Sequence, residues 1–93
     1  MVKSTIHKVA VPSKVDFTLD LPKGAEILEV QIQNDVPHLW YKFPVDENDT
    51  EKRTFTNILT GLQFSDDGNL KHIGTFQFKT PPYLVIHLFE VIK

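Results

Sequence analysis

Two runs near the start of the chain alternate strictly between apolar and polar residues. In positions 15–21 and 28–33 every second residue is apolar, and aspartate, threonine, glutamate or glutamine stands between. A period of two is that of a β-strand with one buried face. No window shows the apolar spacing of three and four residues that an amphipathic helix requires. The sequence therefore predicts an all-β fold.

The length of the chain limits it to one core. A domain of 93 residues buries only about 60 to 65% of its unfolded surface and cannot divide that core in two. A hydrophobic fraction of 41% with 24% charged residues is that of an ordinary globular chain. We predict a single domain, residues 1–93, built as one compact antiparallel β-sandwich or small barrel of about seven strands.

A tight turn is predicted in the first half of the chain. Asn34 and Asp35 form a two-residue hairpin loop, because both residue types tolerate the positive φ that such loops require. The register that follows places Leu28 opposite Tyr41. It also places Trp40 on the polar face of the hairpin.

The last strand-like run, Tyr83–Ile92, is apolar at odd and even positions alike. A closing hairpin with its connection at 80–82 gives one core face and one mixed face. On the mixed face Thr75 lies opposite His87, and Ile73 lies opposite Phe89. In the same register His72 faces Glu90 and forms an ion pair at the rim of the core.

A strand in a two-sheet sandwich needs only one dry face, so the mixed face requires a cover. Segment 47–54 of the same chain is one alternative, although it offers almost nothing apolar. We expect a partner or a ligand instead, with subunits associating as a homo-oligomer. The predicted interface residues are Ile73, Val85, Phe89 and Val91.

Five side chains are predicted to contact a small anionic ligand or a host protein. They combine an aromatic ring for stacking, imidazoles for hydrogen bonding and the sole arginine for pairing with phosphate or carboxylate. The predicted ligand-binding residues are Trp40, His38, Arg53, Thr75 and His87.

Composition excludes several other classes of function. A net charge of −2 with a single arginine argues against binding to duplex nucleic acid. No stretch approaches the roughly 20 apolar residues of a membrane span. The absence of cysteine fits a reducing cytoplasm. The serines lack a nucleophile elbow, and the four histidines lack metal-ligand spacing, so we expect no catalytic residue, no metal and no cofactor.

Four stretches, LPKGAEILEVQIQNDVPHLW, RTFTNILTG, HIGTFQF and LVIHLFE, resemble a family of small all-β proteins encoded mainly by bacteriophages and prophages. The similarity runs from about Val15 to Glu90. The resemblance implies a phage origin and expression in the cytoplasm of a bacterial host. It implies no reaction and no functional residues.

The function expected from these observations is that of a non-enzymatic phage-encoded binding protein. As a homo-oligomer it would sequester a small anionic ligand, such as a nucleotide immune signal, or inhibit a host defence protein. A minor structural or assembly protein of the virion is the alternative, and an enzyme that processes a nucleotide is a third.

Overall fold

The computed structural model of the chain describes residues 1–92. Within these residues it contains seven β-strands and no helix. None of them therefore forms a helix long and apolar enough to cross a membrane. The strands are β1 (Ser4–Ala10), β2 (Asp16–Pro22), β3 (Glu26–Gln33), β4 (Val36–Pro44), β5 (Thr50–Leu59), β6 (Leu70–Gln77) and β7 (Val85–Val91).

The strands form two antiparallel sheets. The three-stranded sheet has the order β1-β4-β3, and the four-stranded sheet has the order β2-β5-β7-β6. The connections from β1 to β2, from β2 to β3 and from β4 to β5 pass from one sheet to the other. The sheets share one hydrophobic core, so the predicted all-β sandwich of about seven strands is confirmed.

The core lies between the inward faces of the two sheets. Leu39 of the three-stranded sheet is fully buried, as are Leu21, Phe55 and Leu88 of the four-stranded sheet. Phe17 stacks on Phe55 with the ring centroids 5.4 Å apart. Phe17 and Leu21 lie four residues apart on β2 and share its inward face, as a period of two requires.

The two sheets approach most closely where β6 crosses β3. A Cβ atom at Gly74 would lie 2.8 Å from Val30 Cγ1, which is too close for a packed contact. Glycine is therefore favoured at this position of β6, because a larger residue would force the Val30 side chain or the backbone to shift.

The hairpin between β3 and β4 closes with the predicted two-residue loop. Asn34 and Asp35 have φ angles of 53° and 65°, and Gln33 pairs with Val36. Both central residues have positive φ, as a type I′ turn requires. This prediction is confirmed.

A β-bulge interrupts the same hairpin further along. The predicted register holds up to the pair of Glu29 with Trp40 and then shifts, so that Ile27 faces Tyr41. The predicted pair of Leu28 with Tyr41 is therefore wrong. Leu28 is the extra residue of the bulge and is 41% exposed, and the shift turns Ile27 towards the core.

A second bulge interrupts the hairpin between β6 and β7. The predicted pairs are confirmed as far as Gly74 opposite Leu88. Beyond it Ile73 is the extra residue and packs against the core. Phe89 faces His72, so the predicted pair of Ile73 with Phe89 is wrong. Strict alternation fails here because a bulge adds one residue to one strand.

Candidate functional site

The outer face of the four-stranded sheet brings two of the predicted ligand-binding residues together. Thr75 on β6 pairs with His87 on the inner strand β7. Both side chains point away from the core, because their neighbours Phe76 and Leu88 point into it. Ile58 and Phe89 lie on the same outer face.

A line of hydrogen-bonding side chains crosses this face from β6 to the end of β5. His72 Nε2 lies 3.2 Å from Thr75 Oγ1, and the same hydroxyl lies 2.9 Å from His87 Nδ1. On the other side of the ring, His87 Nε2 lies 2.6 Å from Thr60 Oγ1. We call these four residues, His72, Thr75, His87 and Thr60, the histidine–threonine line.

Threonine hydroxyl groups lie within hydrogen-bonding distance of both ring nitrogens of His87. A hydroxyl donates one hydrogen bond and accepts others, so Thr60 and Thr75 complement His87 both as a neutral ring and as an imidazolium. Thr60 Oγ1 also lies within donating distance, 3.3 Å, of the backbone oxygen of Val85. The line can therefore offer donors or acceptors to a bound group while the ring keeps its position.

A segment of the same chain covers part of this face. We call residues 61–69 the cover segment. Its Phe64 ring packs on Phe89 with the centroids 5.9 Å apart, and Ile58 of β5 is only 8% exposed. The cover segment is mostly polar but exposes two apolar side chains, Leu62 at 61% and Phe64 at 47%. The alternative cover by segment 47–54 is wrong, because Thr50 starts strand β5.

Two hollows lie beside Phe64. The smaller, of about 290 Å³, is lined by Thr60, His87 and Phe89. The larger is a groove of about 770 Å³ that extends to the connection between β1 and β2, where Lys14 contributes a cationic side chain. Ligand sites are commonly concavities of about 300 to 1,000 Å³ with apolar walls and a few polar groups. The larger groove falls in this range, but its walls include the inward-facing Phe76 and Ile86 and no member of the histidine–threonine line.

Trp40 and His38 lie on the other side of the sandwich. Both belong to β4 and point outward from the three-stranded sheet. Lys8 Nζ stands 5.5 Å from the centroid of the Trp40 ring, and His38 Nδ1 lies 2.9 Å from the backbone oxygen of Val36. The core separates these side chains from the histidine–threonine line. One chain therefore does not bring all five predicted ligand-binding residues to one surface, and the prediction of a shared ligand remains one that only two or more chains together could fulfil.

Arg53 is engaged inside the protein. Its Nε and Nη2 donate to the two carboxylate oxygens of Glu90 at 2.6 and 2.8 Å, and its Nη1 donates to the backbone oxygen of Ala25 at 2.5 Å. The hydrogen bonds to Glu90 raise the pKa of Arg53 against the opposing effect of burial. The guanidinium is thus not free for a ligand, and the predicted ion pair of His72 with Glu90 is wrong.

The predicted interface residues divide between two environments. Val85, Phe89 and Val91 are half-buried on the outer face of β7. Ile73 packs against the core from its bulge. The outer face consequently offers less apolar surface than predicted, and its most exposed apolar atoms belong to the cover segment.

Three residues of this region were missed by sequence reasoning. His72 joins the line because the bulge in β6 turns it to the outer face, and no sequence signal marks that bulge. Thr60 directly follows the last residue of β5, and its partner His87 lies on another strand that is distant in the chain. Phe64 is a single aromatic residue in a polar, turn-rich segment, which is a recognisable sign of a loop that packs back on the domain.

Within residues 1–92, no group of three or more histidine, aspartate or glutamate side chains converges as ligands to a metal ion would. Comparison with protein families matches residues 2–93 to a domain of unknown function, DUF7352. The chain belongs to the DUF7352 family. The match includes both sheets of the sandwich, so the histidine–threonine line and the cover segment are parts of the DUF7352 domain. No curated protein and no solved structure matches the chain significantly.

Proposed function

We propose that this DUF7352 chain is a non-enzymatic binding protein of phage origin that acts as a homo-oligomer in the cytoplasm of a bacterial host. Its binding surface is the outer face of the four-stranded sheet. The observation that carries the proposal is the histidine–threonine line beside an aromatic wall and the smaller hollow.

The chemistry of the surface favours a small anionic ligand with a planar ring, such as a nucleotide. Phe64 and Phe89 supply an aromatic wall on which a base stacks. Where an imidazole N–H of His87 donates to Thr75 or Thr60, that hydroxyl is left to donate to a phosphate oxygen. Lys14 is among the residues that line the larger groove. The ligand is held by hydrogen bonds and stacking, with no covalent step.

A matched pair of threonine substitutions tests ligand binding at the line. Thr75→Val keeps the shape of the side chain and removes the hydroxyl between the two histidines. Thr18→Val makes the same change on β2 of the same face, outside the line. Loss of one charge-assisted hydrogen bond weakens binding by about tenfold, so Thr75→Val is expected to lose affinity and Thr18→Val to keep it.

Native mass spectrometry of the protein from infected cells first gives the mass of any retained ligand. Isothermal titration calorimetry with a panel of linear and cyclic nucleotides then measures the affinities. Equal affinities of the two variants would contradict binding at the line. Chromatography of the nucleotides after incubation is the second readout. Formation of a product would overturn the non-enzymatic part of the proposal, in which case Thr60 and His87 would be the first pair to examine as nucleophile and base.

A protein partner is a second candidate, because exposed apolar side chains surround the larger groove. Leu62 and Phe64 of the cover segment, Val15 and Leu84 are all 39% exposed or more, and such clusters commonly mark protein contacts. The partner would be a host defence protein or another component of the virion. Mass spectrometry of purified particles separates these, since an inhibitor acting in the cytoplasm is absent from the virion.

A further inference from the structure

The free edge of the three-stranded sheet presents a complete row of backbone hydrogen-bonding groups. Backbone hydrogen bonds between the residues that flank β1 and the β4 segment mark both ends of their pairing. Val11 N donates to the backbone oxygen of Pro37 at 2.8 Å at one end, and Val45 N donates to the backbone oxygen of Lys3 at 2.9 Å at the other. Antiparallel strands exchange such bonds at every second residue. The odd-numbered residues of β1 therefore direct their backbone N–H and C=O groups towards β4. Within residues 1–92, β1 pairs with no other strand. The backbone groups that point away from β4 are those of Ser4, Ile6, Lys8 and Ala10.

The other three sheet edges carry features that oppose strand pairing. β3 is bulged at Leu28 and β6 is bulged at Ile73. β2 exposes Asp16 and Asp20 and ends in Pro22. Bulges, charges and proline are the devices by which proteins protect an edge strand.

β1 lacks these devices. Its register with β4 is continuous over all seven residues and it contains no proline. Lys8 is its one lysine, and its ammonium is bound to Gln33 Oε1 of β3 and stands over the ring of Trp40. The ammonium is thus held on the outer side of its own sheet, and a single lysine leaves the rest of the edge uncharged. Beside it, Ile6 is 54% exposed.

We propose that β1 pairs antiparallel with β1 of a second copy of this chain across a two-fold axis at His7. The two three-stranded sheets then form one six-stranded sheet, three strands from each copy. Ser4 lies opposite the partner subunit's Ala10, and Ile6 lies opposite the partner subunit's Lys8. The contact is isologous, since each copy offers the same edge to the other.

Register and charge favour this alignment over its neighbours. With the axis at His7, each of the four residues whose backbone groups point away from β4 lies opposite another of these four residues in the partner subunit. Moving the axis to Lys8 places that lysine opposite the partner subunit's Lys8, which is unfavourable for a directly opposed pair. Moving it to Ile6 leaves Ala10 beyond the end of the partner strand.

The proposed β1–β1 contact, which we call the seam, rests on the proposed function because it supplies a surface for the self-association. The seam lies on the three-stranded sheet, whereas the histidine–threonine line lies on the outer face of the four-stranded sheet. Dimerisation leaves that line open. A result against the seam therefore leaves ligand binding standing, and loss of ligand binding in Thr75→Val leaves the seam standing.

A proline at the free edge is the first test. Ile6→Pro removes an N–H that points to the partner and spares the ladder with β4. Thr18→Pro is the matched control, since Thr18 occupies the equivalent outward-pointing position on the free edge of β2. Sedimentation velocity over micromolar to millimolar concentrations is expected to show a dimer for the unaltered chain and for Thr18→Pro, and a monomer for Ile6→Pro. Circular dichroism checks that both variants are folded.

A charge pair keeps the test independent of proline strain. Ile6→Glu places a carboxylate opposite the partner subunit's Lys8, and Ile6→Lys places an ammonium there, twice in each dimer. The dissociation constant is expected to be about 2- to 30-fold lower for Ile6→Glu than for Ile6→Lys. A monomer at every concentration, a dimer that Ile6→Pro does not disturb, or equal constants for the two charged variants would each overturn the proposal.

Discussion

The ion pair between Arg53 and Glu90 is the contact whose loss is expected to weaken this fold most. The two side chains keep only 17% and 9% of their surface exposed. Three hydrogen bonds hold the guanidinium, two to Glu90 and one to the backbone oxygen of Ala25. Glu90→Leu removes the carboxylate and leaves a positive charge in the core without its partner. The expected loss is about 3 to 5 kcal/mol of unfolding free energy.

That loss is large beside the total stability of the domain. At about 0.05 to 0.15 kcal/mol per residue, a domain of this size has roughly 5 to 14 kcal/mol of unfolding free energy. Removing both charges in the double variant Arg53→Met with Glu90→Leu has a different result. It abolishes the desolvation penalty of the pair and leaves only the oxygen of Ala25 without its donor, which costs about 1 to 3 kcal/mol. We expect the double variant to lie within about 2 kcal/mol of the unaltered protein.

Urea unfolding followed by the fluorescence of Trp40 measures these differences. Trp40 is the sole tryptophan and lies on the opposite sheet, so its signal reports unfolding and not the local change. With a slope of about 2 kcal/mol per molar urea, Glu90→Leu is expected to lower the midpoint by roughly 2 M. A shift below about 0.5 M, or a double variant as unstable as the sum of the single ones, would refute the reasoning.

Substitutions at Gly74, Leu39, Leu28 and Asn57 test the packing. Gly74→Ala places a methyl group 2.8 Å from Val30 Cγ1 and is expected to lower the unfolding free energy, measured by thermal unfolding, by about 1 to 3 kcal/mol. The loss is expected to be smaller in a Val30→Ala background, and an equal loss in both backgrounds would contradict the close approach. Leu39→Ala, at 0% exposure, is expected to cost about 2 to 5 kcal/mol, and Leu28→Ala at the exposed bulge less than about 1 kcal/mol. Asn57 donates through Nδ2 to the backbone oxygens of residues 12 and 14 at 3.3 and 2.8 Å. Asn57→Asp is expected to destabilise more than Asn57→Ala, because a carboxylate repels both carbonyls, and the reverse order in urea unfolding would contradict this contact.

Sequence reasoning succeeded where the physics is local. The alternation of apolar and polar residues predicted the strands, because a strand with one buried face repeats every two residues. Asn34 and Asp35 predicted the hairpin loop, because few residues adopt positive φ at low cost. The turn at 80–82 was sufficient to align Thr75 with His87, because register follows from the loop over a few residues.

Sequence reasoning failed where one added residue shifts the strand register or where a side chain contacts a partner that is distant in the chain. The bulges at Leu28 and Ile73 shift the pairing beyond them, and no local pattern marks either one. The cover segment packs by one aromatic ring, Phe64, whose target on β7 is distant in the chain. Arg53 was predicted to contact a ligand, because its actual partner Glu90 lies on another strand that is distant in the chain.

Periodicity alone determined that this chain is all-β, and residue chemistry drew attention to Thr75, His87 and Trp40. Only the tertiary structure decided which of them share a surface. The order of strands in the two sheets places Trp40 on one side of the core and His87 on the other, and it joins His72 and Thr60 to the same line of hydrogen bonds. That order depends on long-range contacts between strands, and an alternating pattern defines the two faces of each strand without specifying its neighbours.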